Sequence, residues 1–530
     1  MSEAEIKPTE EQQHIIELAK RPESLMVNAY AGCAKSTTLK LAARGTRRAA
    51  LALAFNKSIA KEMTQGLPAS FSVKTMNGLG FGAWTRRLDG LGITLDEKKI
   101  GRLVTAVSKE WKRPLLGDSW SNSRLLVAKA MQAGLSFEDE GRPFVVDTPE
   151  AWRRIAWDEL IHDDELDLIY DLCREVLRRS TLEAKAGIMS FDDQVYCSTI
   201  LGGDWLRFGE VWVDEAQDLS PLNHRMLQLS LLPEGKLRAV GDPKQAIYSF
   251  RGADSASMEK IRGLRPAGSW AQAPLATTFR CPKAIVARQQ QHAPGFTAWH
   301  SNAEGSFATW NTPKDFSPEG AAQGGWSFAM LQEAQLRTAL PGQIAILCRN
   351  NAPLLSLAFK LIRQGIGPYL LGRDLGKGLV TLSRKLAKED ATPIDAVAFK
   401  ITEWLEHERA LAVANSQEEK IAGIVDRAEC LRAVMESAGC KDAGQLRSCL
   451  ANLFERESGQ IVLSTVHKAK GLEWPLVLHL DPWRLPSKRA RREAAAGNPV
   501  PLQQDLNLKY VAETRTKHTL LTANLEDFNG

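Results

Sequence analysis

The stretch Leu25-Met-Val-Asn-Ala-Tyr-Ala-Gly-Cys-Ala-Lys35-Ser36-Thr-Thr-Leu decides the fold class. It combines an apolar run, a turn of small residues and the start of a helix, which is the local structure that a phosphate cradle requires. Backbone N–H groups at the turn and at the helix N-terminus point at a bound anion, and the helix dipole adds to the attraction. Lys35 can reach the β- and γ-phosphates of a nucleotide, and the Ser36 hydroxyl can hold Mg²⁺. The stretch therefore indicates a P-loop in an α/β protein.

This loop departs from the usual pattern at Ala29 and Ala34, two positions where glycine is common. A methyl group at Ala34 lies close to where the phosphates bind, so the turn must tolerate a Cβ there. Taken alone, the loop is also compatible with an ordinary strand–turn–helix, and a second motif is needed to decide between the two.

The string Val211-Trp-Val-Asp214-Glu215-Ala-Gln-Asp supplies that motif. Two adjacent carboxylates close an apolar run, where burying a charge is costly unless a metal or a partner compensates it. Asp214 is predicted to hold Mg²⁺, and Glu215 to orient and deprotonate the attacking water. An exposed acidic turn is the alternative, but the upstream loop favours the catalytic interpretation.

Apolar runs bounded by polar turns recur along the chain, and several are continuously apolar, as in strands buried on both faces of a parallel sheet. Segments with helical spacing lie between them, which indicates α/β architecture. The runs form two groups, before and after about Pro274, and they are 25–27, 49–55, 211–213, 237–240, 344–348, 461–463 and 475–480. The predicted domains are a first core at 1–84 and 191–274 with a helical insertion at 85–190, and a second core at 275–375 and 457–530 with a small helical insertion at 376–456.

Composition agrees with a globular protein, since 44% of the residues are hydrophobic and 25% are charged. The net charge of +5 neither proves nor excludes a nucleic-acid partner. The eight cysteines form no C-x-x-C pair, so neither a zinc site nor a disulfide framework is indicated. A polar N-terminus and the lack of a long apolar run predict a soluble, cytoplasmic protein without membrane contact, nucleoid-associated if bacterial or phage-encoded. Residues 484–492 are predicted to form a short basic loop.

Further strings follow in a fixed order along the chain. They are Thr9-Glu-Glu-Gln12, Ala54-Phe55-Asn56-Lys57, Lys74-Thr75-Met76-Asn77, Gly241-Asp-Pro-Lys-Gln245-Ala-Ile-Tyr248-Ser-Phe250-Arg251-Gly-Ala, Thr278-Phe279-Arg280, Ser464-Thr465-Val-His467-Lys-Ala-Lys470-Gly471-Leu-Glu473-Trp474 and Tyr510-Val-Ala-Glu-Thr514-Arg515. In order and spacing they resemble the UvrD/Rep/PcrA family of superfamily 1 DNA helicases over both cores, about two-thirds of the chain. Within that family the chain is similar to the compact branch that includes the F-box DNA helicase and phage relatives. Asn77 replaces the family's usual histidine.

The resemblance implies a P-loop NTPase with two RecA-like cores, ATP and Mg²⁺ as cofactors, and hydrolysis between the cores. The implied catalytic residues are Lys35, Asp214, Glu215, Gln245, Arg280 and Arg515. The implied nucleotide-binding residues are Gln12, Ala31, Gly32, Cys33, Ala34, Lys35, Ser36, Thr37, Phe279 and Glu473, with Ser36 and Asp214 as metal ligands. Arg515 corresponds to the finger that stabilises transition-state charge.

The resemblance also implies single-stranded DNA and junctions of single- and double-stranded DNA as partners. The implied nucleic-acid contacts are Phe55, Asn56, Thr75, Tyr248, Phe250, Arg251, Thr465 and His467. Aromatic faces suit a strand that is followed without sequence preference, because every base can stack. The predicted function is an ATP-dependent single-stranded DNA translocase and 3′→5′ helicase. A nucleotide-dependent DNA-binding or protein-stripping factor with little unwinding activity is the alternative, and inspection leaves RNA open. A GTPase is disfavoured because Asn56-Lys57-Ser58-Ile59 lacks the aspartate of a guanine-binding motif.

Overall fold

The computed structural model describes residues 7–54, 56–115, 119–137, 143–159, 161, 163–247, 256–310, 325–414, 421–455 and 458–528. The chain divides into two compact units, Met1–Ala29 with Ala34–Leu275 and Tyr30–Cys33 with Ala276–Gly530. Each unit contains one six-stranded sheet whose neighbouring strands are all parallel. The predicted α/β class with two parallel-sheet cores is confirmed, and the sheets agree with two RecA-like domains.

The sheet of the first unit has the strand order β10-β1-β9-β8-β2-β3. Its strands are β1 (Ser24–Ala29), β2 (Ala50–Ala54), β3 (Phe71–Thr75), β8 (Phe208–Val213), β9 (Leu231–Gly241) and β10 (Trp270–Leu275). Strand β2 is buried at every position, as its unbroken Ala-Leu-Ala-Leu-Ala sequence predicts for a strand covered on both faces. The helices of this core are α1 (Glu10–Ala19), α2 (Lys35–Ala43), α3 (Lys57–Gly66), α4 (Met76–Arg87), α9 (Asp193–Ile200), α10 (Pro221–Ser230) and α11 (Ser257–Gly263).

Between α4 and α9 lies a helical segment with its own hydrophobic core. It contains α5 (Lys99–Glu110), α6 (Ser119–Gln132), α7 (Pro149–Asp158) and α8 (Asp163–Lys185), with the two-residue strands β4 (Thr94–Leu95), β5 (Leu135–Ser136), β6 (Val145–Val146) and β7 (Ile188–Met189). The Lys99 ammonium on α5 lies 2.8 Å from a carboxylate oxygen of Asp193 on α9, and both side chains are almost fully buried. Lys99 also donates to the Ser180 carbonyl at 2.7 Å. This buried ion pair joins the segment to the core.

The sheet of the second unit has the strand order β13-β18-β17-β14-β16-β15. Its strands are β13 (Ser306–Trp310), β14 (Ile344–Cys348), β15 (Tyr369–Leu370), β16 (Ile461–Thr465), β17 (Trp474–Leu480) and β18 (Thr516–Ala523), and a separate pair is formed by β11 (Thr277–Thr278) and β12 (Thr297–Ala298). The helices are α12 (Lys283–Gln289), α13 (Phe328–Arg337), α14 (Ala352–Arg363), α15 (Arg373–Leu386), α16 (Ile394–Ala414), α17 (Ile421–Ala438), α18 (Ala443–Glu455), α19 (Val466–Ala469), α20 (Lys488–Ala495) and α21 (Val500–Glu513). No helix in the described ranges combines the length and apolarity needed to cross a bilayer.

The helices α15–α18 are packed onto the second sheet through α14 and α17. Asp426 of α17 accepts hydrogen bonds from the backbone N–H groups of Asn351 and Ala352 at the start of α14. A carboxylate at that position satisfies donors that have no partner within the helix. The N-terminus of α14 is therefore capped by a side chain from α17, 74 or more residues away in the chain.

The prediction of a basic loop at 484–492 is wrong, because Lys488–Ala495 forms helix α20. Ser487 caps this helix by accepting a hydrogen bond from the Ala490 backbone at 3.3 Å. Serine is a preferred N-cap residue, and the alanines and arginines that follow are good helix formers. The capping signal was present in the sequence and outweighs the mutual repulsion of the basic side chains.

Strand β17 carries a fully buried histidine, His479. Neither ring nitrogen has a hydrogen-bond partner among the described residues. Burial, together with the positive charges of Lys509 and Arg288, lowers the pKa of His479 to about 3. The ring is therefore neutral in the folded protein at neutral and mildly acidic pH.

We expect this histidine to make the free energy of unfolding fall as the pH is lowered from 6.5 towards 3. In that window the unfolded chain binds a proton at His479 and the folded chain does not, which costs about 1.4 kcal/mol of stability for each pH unit. Above pH 6.5 the residue is neutral in both states and the effect is absent. Urea unfolding of the wild type and of His479→Leu at pH 7 and pH 5 measures it. The stability difference between the two proteins should shift by about 2 kcal/mol in favour of the variant at pH 5, and an unchanged difference would contradict the assignment.

Candidate nucleotide site and nucleic-acid contacts

The candidate nucleotide site of the first unit lies at the carboxyl edge of its sheet. Strands β1, β9 and β8 are neighbours in that order, and because they are parallel their carboxyl ends meet at one edge. Ligands of open α/β sheets bind at this edge. Strand β1 leads into the loop before α2, β8 leads to Asp214 and Glu215, and β9 leads to Asp242.

Four predicted residues come together at this edge. The Lys35 ammonium lies 3.2 Å from a carboxylate oxygen of Glu215, and the Ser36 hydroxyl donates to the Asp214 carboxylate at 2.6 Å. The second Asp214 oxygen accepts the Glu215 backbone N–H at 2.9 Å. Thr37 follows in the first turn of α2 and is partly exposed. Lys35 and Ser36 at the start of α2 and the acidic pair that follows β8 therefore form one cluster.

Burial and charge perturb the pKa of several groups here. Burial raises the pKa of Asp214 to about 6, and the neighbouring Glu215 carboxylate contributes to the rise while Lys35 opposes it. Burial lowers the pKa of Lys35, but the carboxylates of Glu215, Asp242 and Asp214 outweigh burial and raise it overall. Lys35 is thus a charged ammonium held among three carboxylates. A hydroxyl oxygen and a carboxylate oxygen side by side, as at Ser36 and Asp214, are the donor types that suit Mg²⁺.

Ala34, the predicted departure from the glycine pattern, has a left-handed backbone with φ 54° and ψ 43°. This conformation costs an alanine about 1–2 kcal/mol, whereas glycine adopts it freely. The position directly precedes the helix that carries Lys35, so the chain must turn sharply there. Glycine is therefore common at this position of a P-loop for two reasons. It adopts the left-handed backbone without strain, and it leaves space for the phosphates.

Replacing Ala34 by glycine is expected to raise the free energy of unfolding by up to about 1 kcal/mol, because relief of the left-handed backbone exceeds the added entropy of the unfolded chain. Ala42→Gly within α2 is the matched control and should lower stability by about 1 kcal/mol, because glycine is a poor residue inside a helix. Chemical denaturation of both variants measures the two effects. A loss of stability in both variants would show that the methyl group of Ala34 makes favourable contacts that outweigh its strain.

Two residues without a predicted role complete the cluster, Gln217 and Asp242. The Gln217 amide donates to the Glu215 carboxylate at 2.6 Å and accepts the Asp242 backbone N–H at 3.0 Å. Gln245 donates to the fully buried Asp242 carboxylate at 2.5 Å. Burial raises the pKa of Asp242, and Lys35 opposes the rise. Gln217 lies within the motif at 214–218 and Asp242 within the motif at 241–253, so their position beside predicted site residues is a signal that the sequence contains.

Gln12 is buried and is placed by the start of α1. Thr9 and Gln12 form a capping box, in which each side chain accepts a hydrogen bond from the other's backbone. The Gln12 amide nitrogen also donates to the Thr38 hydroxyl at 2.9 Å. The structure therefore places Gln12 beside α2, the helix that carries Lys35 and Ser36.

The loop residues Ala31, Gly32 and Cys33 belong to the second unit. The Ala31 backbone N–H donates to the hydroxyl of the buried Tyr510 at 2.8 Å, and Cys33 is fully buried. Gly32 has φ 72°, and its carbonyl accepts the Phe279 backbone N–H at 2.9 Å. A Cβ at Gly32 would lie 2.5 Å from the Cβ of Arg280. Only glycine fits this position.

Arg280 and Glu473, predicted as separate nucleotide contacts, form an ion pair with each other. Lys517 lies 2.5 Å from the second carboxylate oxygen of Glu473. Burial alone would raise the pKa of Glu473, but the hydrogen bond from Lys517 and the charge of Arg280 lower it overall. Phe279 is 40% exposed, and its ring centroid lies 5.3 Å from that of Trp299. Trp299 carried no motif that could have identified it.

Arg515, the predicted finger, is only 1% exposed. Its guanidinium donates to the backbone carbonyls of Val511 at 3.1 Å and Leu472 at 3.4 Å, and to the Thr514 hydroxyl at 3.3 Å. The side chain thus lies folded among carbonyl oxygens in this conformation. The sequence predicted a position for this arginine but not its burial.

Two predicted nucleic-acid contacts of the first unit lie at the ends of the neighbouring strands β2 and β3. Asn56 is exposed and caps α3 through a hydrogen bond from Ile59 at 2.9 Å. Thr75 caps α4 through a hydrogen bond from Gly78 at 3.1 Å. Asn77 donates to the carbonyl of Phe191 at 3.2 Å, and Phe191 is 60% exposed. Phe191 is thus an exposed aromatic residue next to Asn77, and the sequence does not identify it because the two residues are more than a hundred positions apart.

In the second unit, Thr465 ends β16 and is 7% exposed, while His467 lies in the short helix α19 and is partly exposed. Both therefore lie at the carboxyl edge of their sheet. The four remaining predicted contacts, Phe55, Tyr248, Phe250 and Arg251, lie outside the described residues.

Two family domains match the chain. The UvrD/REP helicase N-terminal domain matches residues 200–264, and the UvrD-like helicase C-terminal domain matches residues 403–526. The first match contains Asp214, Glu215 and Gln245, and the second contains Glu473 and Arg515. The matches thus fall on one segment of each unit.

Curated relatives extend the similarity over nearly the whole chain. F-box DNA helicase protein 1 of Schizosaccharomyces pombe is 24% identical over 97% of this chain and 57% of its own length. F-box DNA helicase 1 of Gallus gallus is 24% identical over 98% of this chain and 49% of its own length. ATP-dependent DNA helicase UvrD2 of Mycobacterium tuberculosis is 25% identical over 58% of this chain and 46% of its own length. The chain thus spans about half the length of these relatives. The chain thus contains segments that match both the N-terminal and the C-terminal family domain of UvrD-like helicases, in that order.

Proposed function

We propose that this chain is an ATP-dependent single-stranded DNA translocase and 3′→5′ DNA helicase. The observation that supports it most is the cluster at the carboxyl edge of the first sheet, where Lys35, Ser36, Asp214 and Glu215 share direct contacts. In the same sheet β2 neighbours β8, and β2 and β3 end at Ala54, two residues before Asn56, and at Thr75. The carboxyl edge of this sheet thus carries the proposed phosphate site and two of the residues proposed to contact the DNA strand. The domain limits given by the sequence, with helical insertions at 85–190 and 376–456, are part of this proposal.

Each residue of the cluster has a defined task in this proposal. Lys35 leaves Glu215 and binds the β- and γ-phosphates, because a phosphate carries more negative charge than the carboxylate it replaces. Glu215 is then free to orient the attacking water and accept its proton. Gln217 holds the Glu215 carboxylate in place, and Gln245 is positioned by Asp242 to sense the terminal phosphate. Arg280 and Arg515 keep the roles that the family resemblance implies.

Mg²⁺ fits the oxygen pair formed by the Ser36 hydroxyl and the Asp214 carboxylate. Bound there, the ion would neutralise charge on the phosphates. Because the pKa of Asp214 is raised to about 6, this carboxylate is ionised at neutral pH and can act as a ligand. The proposed cofactors are therefore ATP and Mg²⁺.

For the nucleic acid we propose single-stranded DNA and its junctions with duplex DNA. Phe55, Asn56, Thr75, Tyr248, Phe250, Arg251, Thr465 and His467 are the proposed contacts, to which we add Phe191. Stacking of a base on an exposed aromatic ring contributes about 1–3 kcal/mol, so Phe191, which is 60% exposed and accepts a hydrogen bond from Asn77 at its carbonyl, suits this role.

The test is the rate of ATP hydrolysis with and without single-stranded DNA, followed by unwinding of duplexes with a 3′ or a 5′ tail. We expect stimulation by single-stranded DNA and unwinding of the 3′-tailed duplex only. Stimulation with displacement of a bound protein but without unwinding would favour the protein-stripping alternative. Equal rates with and without DNA would contradict both.

A further inference from the structure

The second unit carries an exposed basic and aromatic surface that none of the residues assigned above explains. It consists of Trp483, Lys488, Arg491 and Arg492, named here the α20 surface. Trp483 is 57% exposed, and the three cationic residues are exposed on helix α20. Positions 488, 491 and 492 are separated by three and four residues, so they lie on one face of the helix. Ala490, between them in sequence, is buried at 1% exposure against the unit.

The α20 surface lies at the carboxyl edge of the second sheet. Strand β17 neighbours β14 and β14 neighbours β16, and these parallel strands end just before Asp481, Arg349 and Val466 respectively. Trp483 follows the end of β17 by three residues, and Thr465 and His467 lie at the end of β16. The surface is therefore on the same side of the sheet as the two proposed nucleic-acid contacts of this unit.

Buried hydrogen bonds hold the start of α20 to that edge. The Asp505 carboxylate, 4% exposed, accepts the Ser487 backbone N–H at 2.8 Å and the Ser487 hydroxyl at 2.6 Å. Arg349, just after β14, donates to the other oxygen of Asp505 at 2.9 Å. Ser487 is also the N-cap of α20. These hydrogen bonds fix helix α20 relative to the end of β14. A helix that is basic only because it faces solvent does not require such anchoring.

The indole of Trp483 is also held in place. The Arg484 guanidinium lies over the ring, 4.5 Å from its centroid, and Arg484 donates to the buried Asp481 carboxylate at 2.9 Å. A cation over one part of the ring is attractive and limits its motion. More than half of the residue still faces solvent, so the tryptophan is an ordered, exposed platform.

We propose that the α20 surface binds single-stranded DNA next to the Thr465 and His467 contacts, with a base stacked on Trp483 and phosphates paired with Lys488, Arg491 and Arg492. Proteins usually bind single strands with cationic side chains that contact the phosphates and with aromatic rings on which the bases stack. Duplex DNA offers phosphates but no unpaired base, so the exposed indole favours the single strand. This inference rests on the proposed function and extends it to residues of a helix outside the motifs.

The test measures equilibrium binding of a labelled 30-nucleotide strand by the full chain at several salt concentrations. The variants are Trp483→Ala and the triple Lys488→Gln, Arg491→Gln, Arg492→Gln. We expect Trp483→Ala to weaken binding about fivefold or more. The triple variant should weaken binding about tenfold and lower the slope of log K against log salt by about 2, because three phosphate contacts are lost.

The matched control is the triple Arg44→Gln, Arg47→Gln, Arg48→Gln, which removes the same charge from three exposed arginines. They precede β2 and therefore lie at the amino edge of the first sheet. The proposed DNA contacts Asn56 and Thr75 lie at the carboxyl edge of that sheet. The inference is overturned if both triples weaken binding equally, if the α20 variants bind the strand like the wild type, or if they lose affinity only for blunt duplex. DNA-stimulated hydrolysis by the wild type is recorded beside these assays. If the wild type fails that assay, the proposed function fails; if it passes and the α20 variants bind normally, only this inference fails.

Discussion

Replacing Lys35 by alanine is expected to reduce DNA-stimulated ATP turnover by about a thousandfold or more, while the protein stays folded. Its ammonium lies among the carboxylates of Asp214, Glu215 and Asp242, and it is proposed to bind the β- and γ-phosphates. Without it, a positive charge that offsets the repulsion between the phosphates and these carboxylates is lost. Steady-state hydrolysis with single-stranded DNA measures the loss, and circular dichroism with thermal unfolding checks the fold.

The matched control for that variant is Lys40→Ala on the same helix. Lys40 pairs with the exposed Glu62 at 2.6 Å and lies more than a full turn beyond Lys35. Its removal takes the same charge from α2 and should leave turnover within about twofold of the wild type, because surface ion pairs contribute little. Turnover retained in Lys35→Ala would remove the P-loop assignment.

The second large effect is expected from Glu215→Gln, with a fall in kcat of about 10²- to 10⁴-fold and retained nucleotide binding. The amide keeps the shape of the side chain but cannot accept the proton of the attacking water. It also frees Lys35 from its carboxylate partner, so nucleotide affinity should stay equal or increase. Single-turnover hydrolysis and binding of a fluorescent ATP analogue separate the two effects.

Glu210→Gln, on the same strand β8, is the control for the loss of a carboxylate. Glu210 accepts a hydrogen bond from Trp212 at 3.2 Å and has no proposed role in hydrolysis, so its variant should keep the wild-type kcat. If Glu215→Gln hydrolyses ATP within tenfold of the wild type, another group is the base. In that case the acidic pair would be limited to metal binding.

The central strands of both sheets were predictable from the sequence. Runs such as Ala50–Ala54 and Ile344–Cys348 are apolar without a break, a pattern that is typical of strands covered on both faces in a parallel sheet. The grouping of Lys35 with Glu215 was predictable in outline, because each follows a strand whose carboxyl end must lie at the same edge. The roles given to these residues stay predictions.

Other features depend on contacts that no local pattern encodes. Two-residue strands such as Thr94–Leu95 are too short to show a periodicity. The pairing of Arg280 with Glu473 joins residues 193 positions apart, and the burial of Arg515 depends on carbonyl groups of other elements. The helix at Lys488–Ala495 differs from the predicted loop for another reason, because a basic composition favours a loop while the N-cap residue Ser487 favours a helix.

The ion pair of Lys99 and Asp193 has a consequence for how the first unit moves. Both side chains are almost fully buried, so separating them would leave two charges in the interior without a partner. This separation would cost several kcal/mol. Helices α5 and α9 should consequently travel as a single body. Since α9 packs against α4, whose first turn follows Thr75, any force on the helical segment would be transmitted to the end of β3 and not absorbed at a hinge.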